Sequence, residues 1–336
     1  MNDTSKRGSR TGLWLLFLLL VVALVGSLAM NIGLMAGRAL TGWSPDEEVA
    51  EDEFPSFDEI WSWGEGDAKV VRVPIQGELF HYVSEGSLFS PSFDPIESIL
   101  RQIRAAQNDE DVVALILEVS SPGGDMTSAD EIYRAVQEFR ASGEDRRVIA
   151  HVQDLAASGG YYAILPADRI VAEPTAMLGS IGVIMQTLNW KTLGEKLGVT
   201  DTTIKSGEHK DLLNPFREVP EEQRAILQKI VDSAYSRFFD LVVTNRGVEP
   251  AALREIADGR VFDAAVALEY GLIDDIGYWT DVLDQLPEVI GEHPVKIVRY
   301  SHSLTFSDWL GSVHARFRWP RWIQSEAPRR MYLWRP

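Results

Sequence analysis

The chain of 336 residues has room for one large domain or two ordinary ones, and its 45% hydrophobic and 24% charged content is that of a globular protein. A formal net charge of −18 argues against a nucleic-acid surface, which needs clustered lysine and arginine. With no cysteine in the chain, disulfides, thiolate metal sites and a cysteine nucleophile are excluded.

Lys6, Arg7 and Arg10 precede an uncharged run from Thr11 to Gly37 that opens "TGLWLLFLLLVVALVG". About 20 apolar residues suffice for a helix to cross the hydrocarbon core. A cleaved signal peptide, with "SLA" at Ser27 to Ala29 as its cleavage site, is the rival reading. Because apolar residues continue past that site through "MNIGLMAG", an uncleaved anchor is favoured. Residues 1–37 are therefore expected as a cytoplasmic N-terminus and membrane anchor. Basic residues before the span and acidic ones after it place the bulk of the chain outside the cytoplasm. From Gly37 to Asp67 there are ten acidic residues against one arginine, so residues 38–68 are expected as an acidic linker. Its aromatic stretch "FPSFDEIWSWG" reads as the partly ordered end.

A domain is expected over residues 69–290. "KVVRVPIQGEL" reads as a strand, and "IESILRQIRAAQND" has helical apolar spacing. "DVVALILEV" and "RVIAHVQD" are continuous apolar runs, as strands covered on both faces require. The helix between them carries Ala129, Ile132, Ala135, Val136 and Phe139 on one face. "DRIVAE" is a short further strand. Pro220, Glu221 and Glu222 open a long helix to about Asn245, with an apolar stripe from Ile226 to Val242. Two shorter helices, a strand at "GLIDDIG" and a helix from Thr280 follow. Strands alternating with helices make this an α/β protein with largely parallel pairing.

In "LAASGGYY", Leu155 to Tyr162, a lone hydroxyl stands between two alanines and two glycines, where a buried strand gives way to a helix. Backbone N–H groups at such a turn are unsatisfied and partly positive, so the Gly159 N–H is a candidate donor to an oxyanion. An oxyanion ordinarily takes two donors; the second candidate is Gly124 in "SSPGGD", another strand-to-helix turn. Either glycine pair taken alone reads as a tight turn. A nucleophilic Ser158 also needs a base. His151 lies in a buried strand and suits packing or a backbone bond; His209 suits a conventional triad; Lys210 in "IKSGEHKD" is the alternative. A free lysine titrates near about 10.4, and bringing it down by about 3 pH units costs the charged form about 4 kcal/mol, which burial can supply. By its residues alone, Lys210 reads as an exposed loop lysine.

"SSPGGD", "LAASGGYYAILPADRIVAEP", "GSIGVIMQTLNW", "IKSGEHKDLLNPFREVPEEQR" and "IADGRVFDAAVALEYGLIDDIG", in this order, closely resemble the signal peptide peptidase A family in its short, single-repeat form. The similarity runs from about Val70 to Leu286. The resemblance implies the Clp protease/crotonase fold of repeated ββα units and a membrane-anchored serine protease with a Ser/Lys dyad. Carried over by motif, it makes Ser158 the nucleophile, Lys210 the general base, Gly124 and Gly159 the oxyanion donors, and Ser180 of "GSIGV" the residue that orients the lysine amine. It further implies peptide substrates left by signal peptidase, no cofactor or metal, and a homo-oligomeric ring, an octamer, with its sites facing a cavity. The rivals are an acyl-CoA enzyme on the crotonase fold, a non-catalytic membrane scaffold, and a protease for other membrane-associated substrates. Residues 291–336 lie outside the resemblance as a Trp/Arg-rich extension, with eight Lys or Arg against three acids. Lipid-interface binding, docking on the acidic body and disorder all remain open for it.

Overall fold

The computed structural model describes residue 14 and residues 17–30, 55–82, 94–291, 294–301 and 331–333. These fall into two compact units, Met1–Glu53 and Phe54–Pro336. In the first unit, residues 17–30 form a helix with exposed side chains. Among the described residues no helix is long and apolar enough to cross a membrane. Residues 31–37 of the expected anchor, most of the acidic linker, and Trp309, Trp319, Trp322 and Trp334 of the tail lie outside the described residues.

The second unit is built on a mixed sheet. Its strands are β1 (Asp58–Trp63), β2 (Ala68–Leu79), β3 (Val112–Asp125), β4 (Arg147–Ala157), β5 (Arg169–Ala172), β6 (Met177–Gly179), β7 (Val261–Asp263), β8 (Asp275–Ile276), β9 (Val295–Ser301) and β10 (Met331–Leu333). The main order is β1-β9-β2-β3-β4-β5-β8, with β6 on β4 and β7 on β6, and β10 on β3. From β9 to β8 the pairing is parallel, while β1, β7 and β10 join antiparallel. The helices are α1 (Pro95–Asn108), α2 (Met126–Ala141), α3 (Gly159–Ile164), α4 (Lys191–Leu197), α5 (Glu221–Arg246), α6 (Pro250–Ile256), α7 (Ala264–Glu269) and α8 (Trp279–Ile290).

Parallel strands need both faces covered, and here they are. On one face Ile96, Ile103, Ile132, Phe139, Phe238 and Val242 pack over Val71, Leu115 and Leu117. On the other, Val282 and Leu286 of α8 cover Val70, Ile116 and Ile149. The apolar runs of β3 and β4 therefore form buried strands as the sequence requires. In α5 the apolar stripe is buried only from Ala234 onward; Ile230 is exposed and Ile226 only half-buried. The first turns of that helix leave the body of the single chain.

Two expected boundaries shift. Residues 58–63, inside the segment read as linker, form β1, and the segment read as extension begins with β9. β9 buries Val295, Ile297 and Val298 beside β2, and a buried charge adds to this. Glu118 is 2% exposed on β3 and takes the Arg72 guanidinium of β2 and Arg299 of β9, the latter at 2.8 Å. Arg72 also donates to Ser62 of β1 at 2.6 Å and stacks over the Trp279 ring of α8 at 4.1 Å. A carboxylate buried there requires cations, and the strand carrying Arg299 supplies one. Replacing Glu118 with glutamine should cost about 3 kcal/mol by leaving Arg72 buried without its counter-charge. The expected readout is a lower urea midpoint at unchanged slope.

At the far end of β2, the His81 ring bridges Asp94 (2.7 Å) of the α1 cap and Glu131 (2.6 Å) of α2. Burial pulls this imidazole down, but its bonds to Glu131 and Asp94 outweigh that and hold it above its ordinary 6.5. A raised histidine contributes its stability in full below the unfolded value and loses it as pH rises through the folded one. The stability gap between the wild type and His81→Asn should accordingly be widest below about pH 6.5 and close at higher pH. Urea titrations across pH measure it.

Candidate active site

The register of two central strands assembles the site. β3 and β4 run parallel with Ser121 opposite Ala156, so Gly124 and Ser158 emerge at the same end of neighbouring strands. Ser158 caps α3 with φ 54° and ψ −118°, a conformation that L-residues with side chains avoid. Its N–H donates to Gly179 O at 2.8 Å, and its own carbonyl accepts from Tyr162 N at 2.9 Å. Among the described residues three non-glycine residues have positive φ: Ser158, Ser180 and Leu213. The first two are serines singled out from the sequence, and such strain persists where the surroundings over-determine it.

The small neighbours of the serine have a packing cause. A Cβ at Gly160 would lie 2.6 Å from Ser121 O, so only glycine lets α3 start this close to β3. Gly124 is similarly constrained, because a Cβ there would lie 1.9 Å from Leu79 O. Ser121, which the sequence reading passed over, shapes the "SSPGGD" turn. Its hydroxyl donates to Gly77 O at 2.7 Å and accepts from Gly123 N at 3.1 Å.

Ser158 and Ser180 line one cavity of about 630 Å³. The lining continues with Ile181 and Val183 after β6, with Gln228, Val231, Asp232 and Tyr235 on α5, and with Ala257 to Gly259 after α6. Ser158 is 2% and Ser180 7% exposed. The structure thus brings together Ser158, Gly159, Ser180 and the turn at Gly124.

Lys210 stands apart. It is exposed, does not line this cavity, and has no ion pair among the described residues. It sits on an arm, roughly residues 184–217, whose turn is held by its neighbours. Asp211 takes Lys205 at 2.6 Å and Arg217 at 2.9 Å, and the Lys205 bond holds its carboxyl below the usual range. The same arm exposes Leu188, Trp190, Leu193 and Leu197, and Ile204 is 98% exposed. His209 lies on this arm 3.8 Å from Glu222 and does not line the cavity. His151 is fully buried on β4 beside the Trp279 ring. Among the described residues no group of His, Asp and Glu is arranged to hold a metal.

Strand β10 adds a feature absent from the sequence reading. Met331, Tyr332 and Leu333 pair antiparallel with Asp125, Gly124 and Gly123. Since β2 already holds the other flank of Gly123 and Gly124, β10 takes the flank toward β4 and Ser158. An extended segment of chain thus lies along Gly124 on the side of the serine.

A buried serine at a strained strand-to-helix turn beside a cavity, on a mixed α/β sheet, has the local architecture of the nucleophile turns that serine hydrolases use. Residues 140–291 match the profile of Peptidase family S49. The chain is 36% identical over 257 residues to an Enterococcus faecium protein bearing the name signal peptide peptidase SppA, spanning 76% of this chain and 74% of that one. It is 31% identical to a protein of Methanocaldococcus jannaschii named as a protease, over 70% of this chain and 75% of that one. It is also 34% identical to the chloroplastic serine protease SPPA of Arabidopsis thaliana, over 57% of this chain and 28% of that one. The chain belongs to the signal peptide peptidase A family of serine peptidases, family S49.

The backbone at Ser158 yields a separable test. Ser158→Gly and Ser158→Ala both remove the hydroxyl, but only glycine adopts φ 54° and ψ −118° without strain. The glycine variant should be the more stable of the two by about 1 kcal/mol, measured by chemical denaturation.

Proposed function

We propose that this protein is a membrane-anchored endopeptidase in which Ser158 attacks a peptide carbonyl and Lys210 takes its proton. The oxygen that becomes negative is met by the Gly124 and Gly159 N–H groups, and Ser180 orients the amine. The bond from Ser158 Oγ to the carbonyl carbon forms while the peptide C–N bond breaks, leaving an acyl-enzyme that water then hydrolyses. The substrates are signal-peptide remnants and other membrane-associated peptides. The fold is of the Clp protease/crotonase type, and the run from Thr11 to Gly37 anchors the chain with the catalytic domain outside the cytoplasm.

The observation that carries this reading is the pairing of β10 with Gly123 to Asp125. It supports the reading because an extended segment of this chain pairs with that strand through its main chain, opposite Gly124 and on the flank toward Ser158. A substrate in the same place presents successive carbonyls to the serine, which is how strand addition serves peptide recognition.

The exposed arm bears on assembly. Its large apolar side chains form a surface that a lone soluble chain rarely leaves uncovered. A ring of identical chains covers it, each arm docking on a neighbour and delivering Lys210 to the neighbour's Ser158. The exposure of Lys210 in the single chain supports that arrangement.

Ser158→Ala and Lys210→Ala should each abolish peptide hydrolysis and leave the fold intact. A lysine variant with more than about a tenth of wild-type activity rules out its role as base, since such catalysis is worth about 10² to 10⁴. Co-assembling the two inactive variants is expected to restore part of the activity, because mixed rings contain intact Ser158/Lys210 pairs between copies. No restoration, or a fully active monomer by sedimentation, would overturn the shared site.

A further inference from the structure

The pair Tyr161 and Tyr162 follows the nucleophile turn directly, and both rings are fully buried. Phenylalanine would fill the same space without placing a hydroxyl in the core, so the two hydroxyls need partners. Tyr161 Oη donates to Leu272 O at 2.6 Å. Tyr162 Oη donates to Asp130 Oδ1 at 2.5 Å and accepts from Arg237 Nε at 3.0 Å. Arg237 closes the figure by donating from Nη2 to the same Asp130 oxygen at 2.5 Å. Burial, reinforced by the bond to Asp130, pushes the Tyr162 phenol up, so it remains a donor throughout the working pH range.

Each corner of this triangle belongs to a different part of the site. Asp130 lies on α2, which begins immediately after Gly124 and Asp125. Tyr162 lies on α3 and closes its first turn through its N–H to Ser158 O. Arg237 lies on α5, whose preceding turns put Gln228, Val231, Asp232 and Tyr235 into the cavity wall. Tyr235 in turn donates to Ala257 O, part of the same wall. The Tyr162 ring packs against Tyr133 of α2 and Phe238 of α5, with centroids 5.5 Å and 5.2 Å away. Thus one closed set of hydrogen bonds joins the helix after the donor turn, the helix after the serine, and the helix lining the cavity.

Ser158 adopts a backbone conformation that is unfavourable by itself, and such a residue keeps its place only when its surroundings over-determine it. An interaction spanning all three helices meets that need, where a bond to a single helix would leave the other two free to drift. We propose that Tyr162, Asp130 and Arg237 form a positioning unit, which holds the Ser158 turn, the Gly124 turn and the α5 cavity wall in the geometry that acylation requires. None of the three touches substrate; each acts through the element it anchors. The proposal rests on Ser158 being the nucleophile.

The test uses full-length protein and two readouts: peptide hydrolysis, and the rate at which a fluorophosphonate labels the serine. Tyr162→Phe, Asp130→Asn and Arg237→Met are expected to lower kcat and the labelling rate about ten- to a hundredfold with KM nearly unchanged, because a small misplacement of reacting groups has that effect. The double variant Tyr162→Phe/Asp130→Asn should be scarcely worse than either single one, since the three groups act as one network. Glu118→Gln, which weakens the fold from the opposite face of the sheet, serves as control and should keep its kcat per labelled site. If the triangle variants lose stability like the control while kcat and labelling stay at wild-type values, the positioning role is refuted. The same holds if their effects simply add. Persistent labelling in Ser158→Ala would instead refute the nucleophile assignment, which keeps the two failures distinguishable.

Discussion

The site depends on how closely α3 approaches the end of β3. The first turn of this helix rests on the Ser121 carbonyl, at a distance that admits no side chain at residue 160. That contact fixes where the helix begins, and the helix start fixes the unusual backbone of Ser158. The parallel register of β3 and β4 then sets the Gly124 turn beside it. A larger residue at 160 would move the serine, the start of α3 and the adjoining cavity wall together. Close-packed interiors transmit displacement in this way because they hold few voids to absorb it.

The two faces of the sheet are stabilised by different physics. The face under α1, α2, α3 and α5 is an extended apolar core whose burial supplies the main favourable term in folding. The other face ends in a buried carboxylate, Glu118, with Arg72 and Arg299 around it. Such a charge contributes little net stability, since desolvation offsets its attraction, but leaving it unpaired is costly. A carboxylate so placed is satisfied by a neighbour of β2 that supplies a cation, as β9 does with Arg299. Through Ser62 it draws in β1 as well. Strands from both ends of the unit thereby join one edge of the sheet, far along the chain from the residues that hold them.

The arm from about residue 184 to residue 217 departs from this economy. Its turns are internally tied by Asp211, Lys205 and Arg217, yet its apolar side chains face solvent in the single chain. The first turns of α5 share that exposure. A segment that is locally ordered and outwardly apolar is shaped for contact with another surface. Under the proposed mechanism it carries the base, so assembly and catalysis would be coupled. An unassembled chain would then hold a nucleophile without its base, which protects intact proteins near the membrane.

Much of the core was legible in sequence because its signals are local. The uninterrupted apolar runs of β3 and β4, the helical spacing of α1 and α2, and the serine with its glycines each occupy a short window. A strand-to-helix turn built from small residues constrains its own backbone, so the turn at Ser158 and Gly159 was readable before any contact was known. Ser121, Tyr162, Asp130 and Arg237 were not, since their roles arise from partners up to 107 positions away and from which face each helix presents. The strands at residues 58–63 and 295–301 were read as linker and extension for a similar reason. Each is short, and its place in the sheet is set by partners far away in the chain: β9 buries Val295, Ile297 and Val298 beside β2 and offers Arg299 to Glu118, and β1 then pairs with β9. Local sequence determined which chemistry this chain carries; long-range packing and charge burial, which local spacing does not encode, decided how those groups are held.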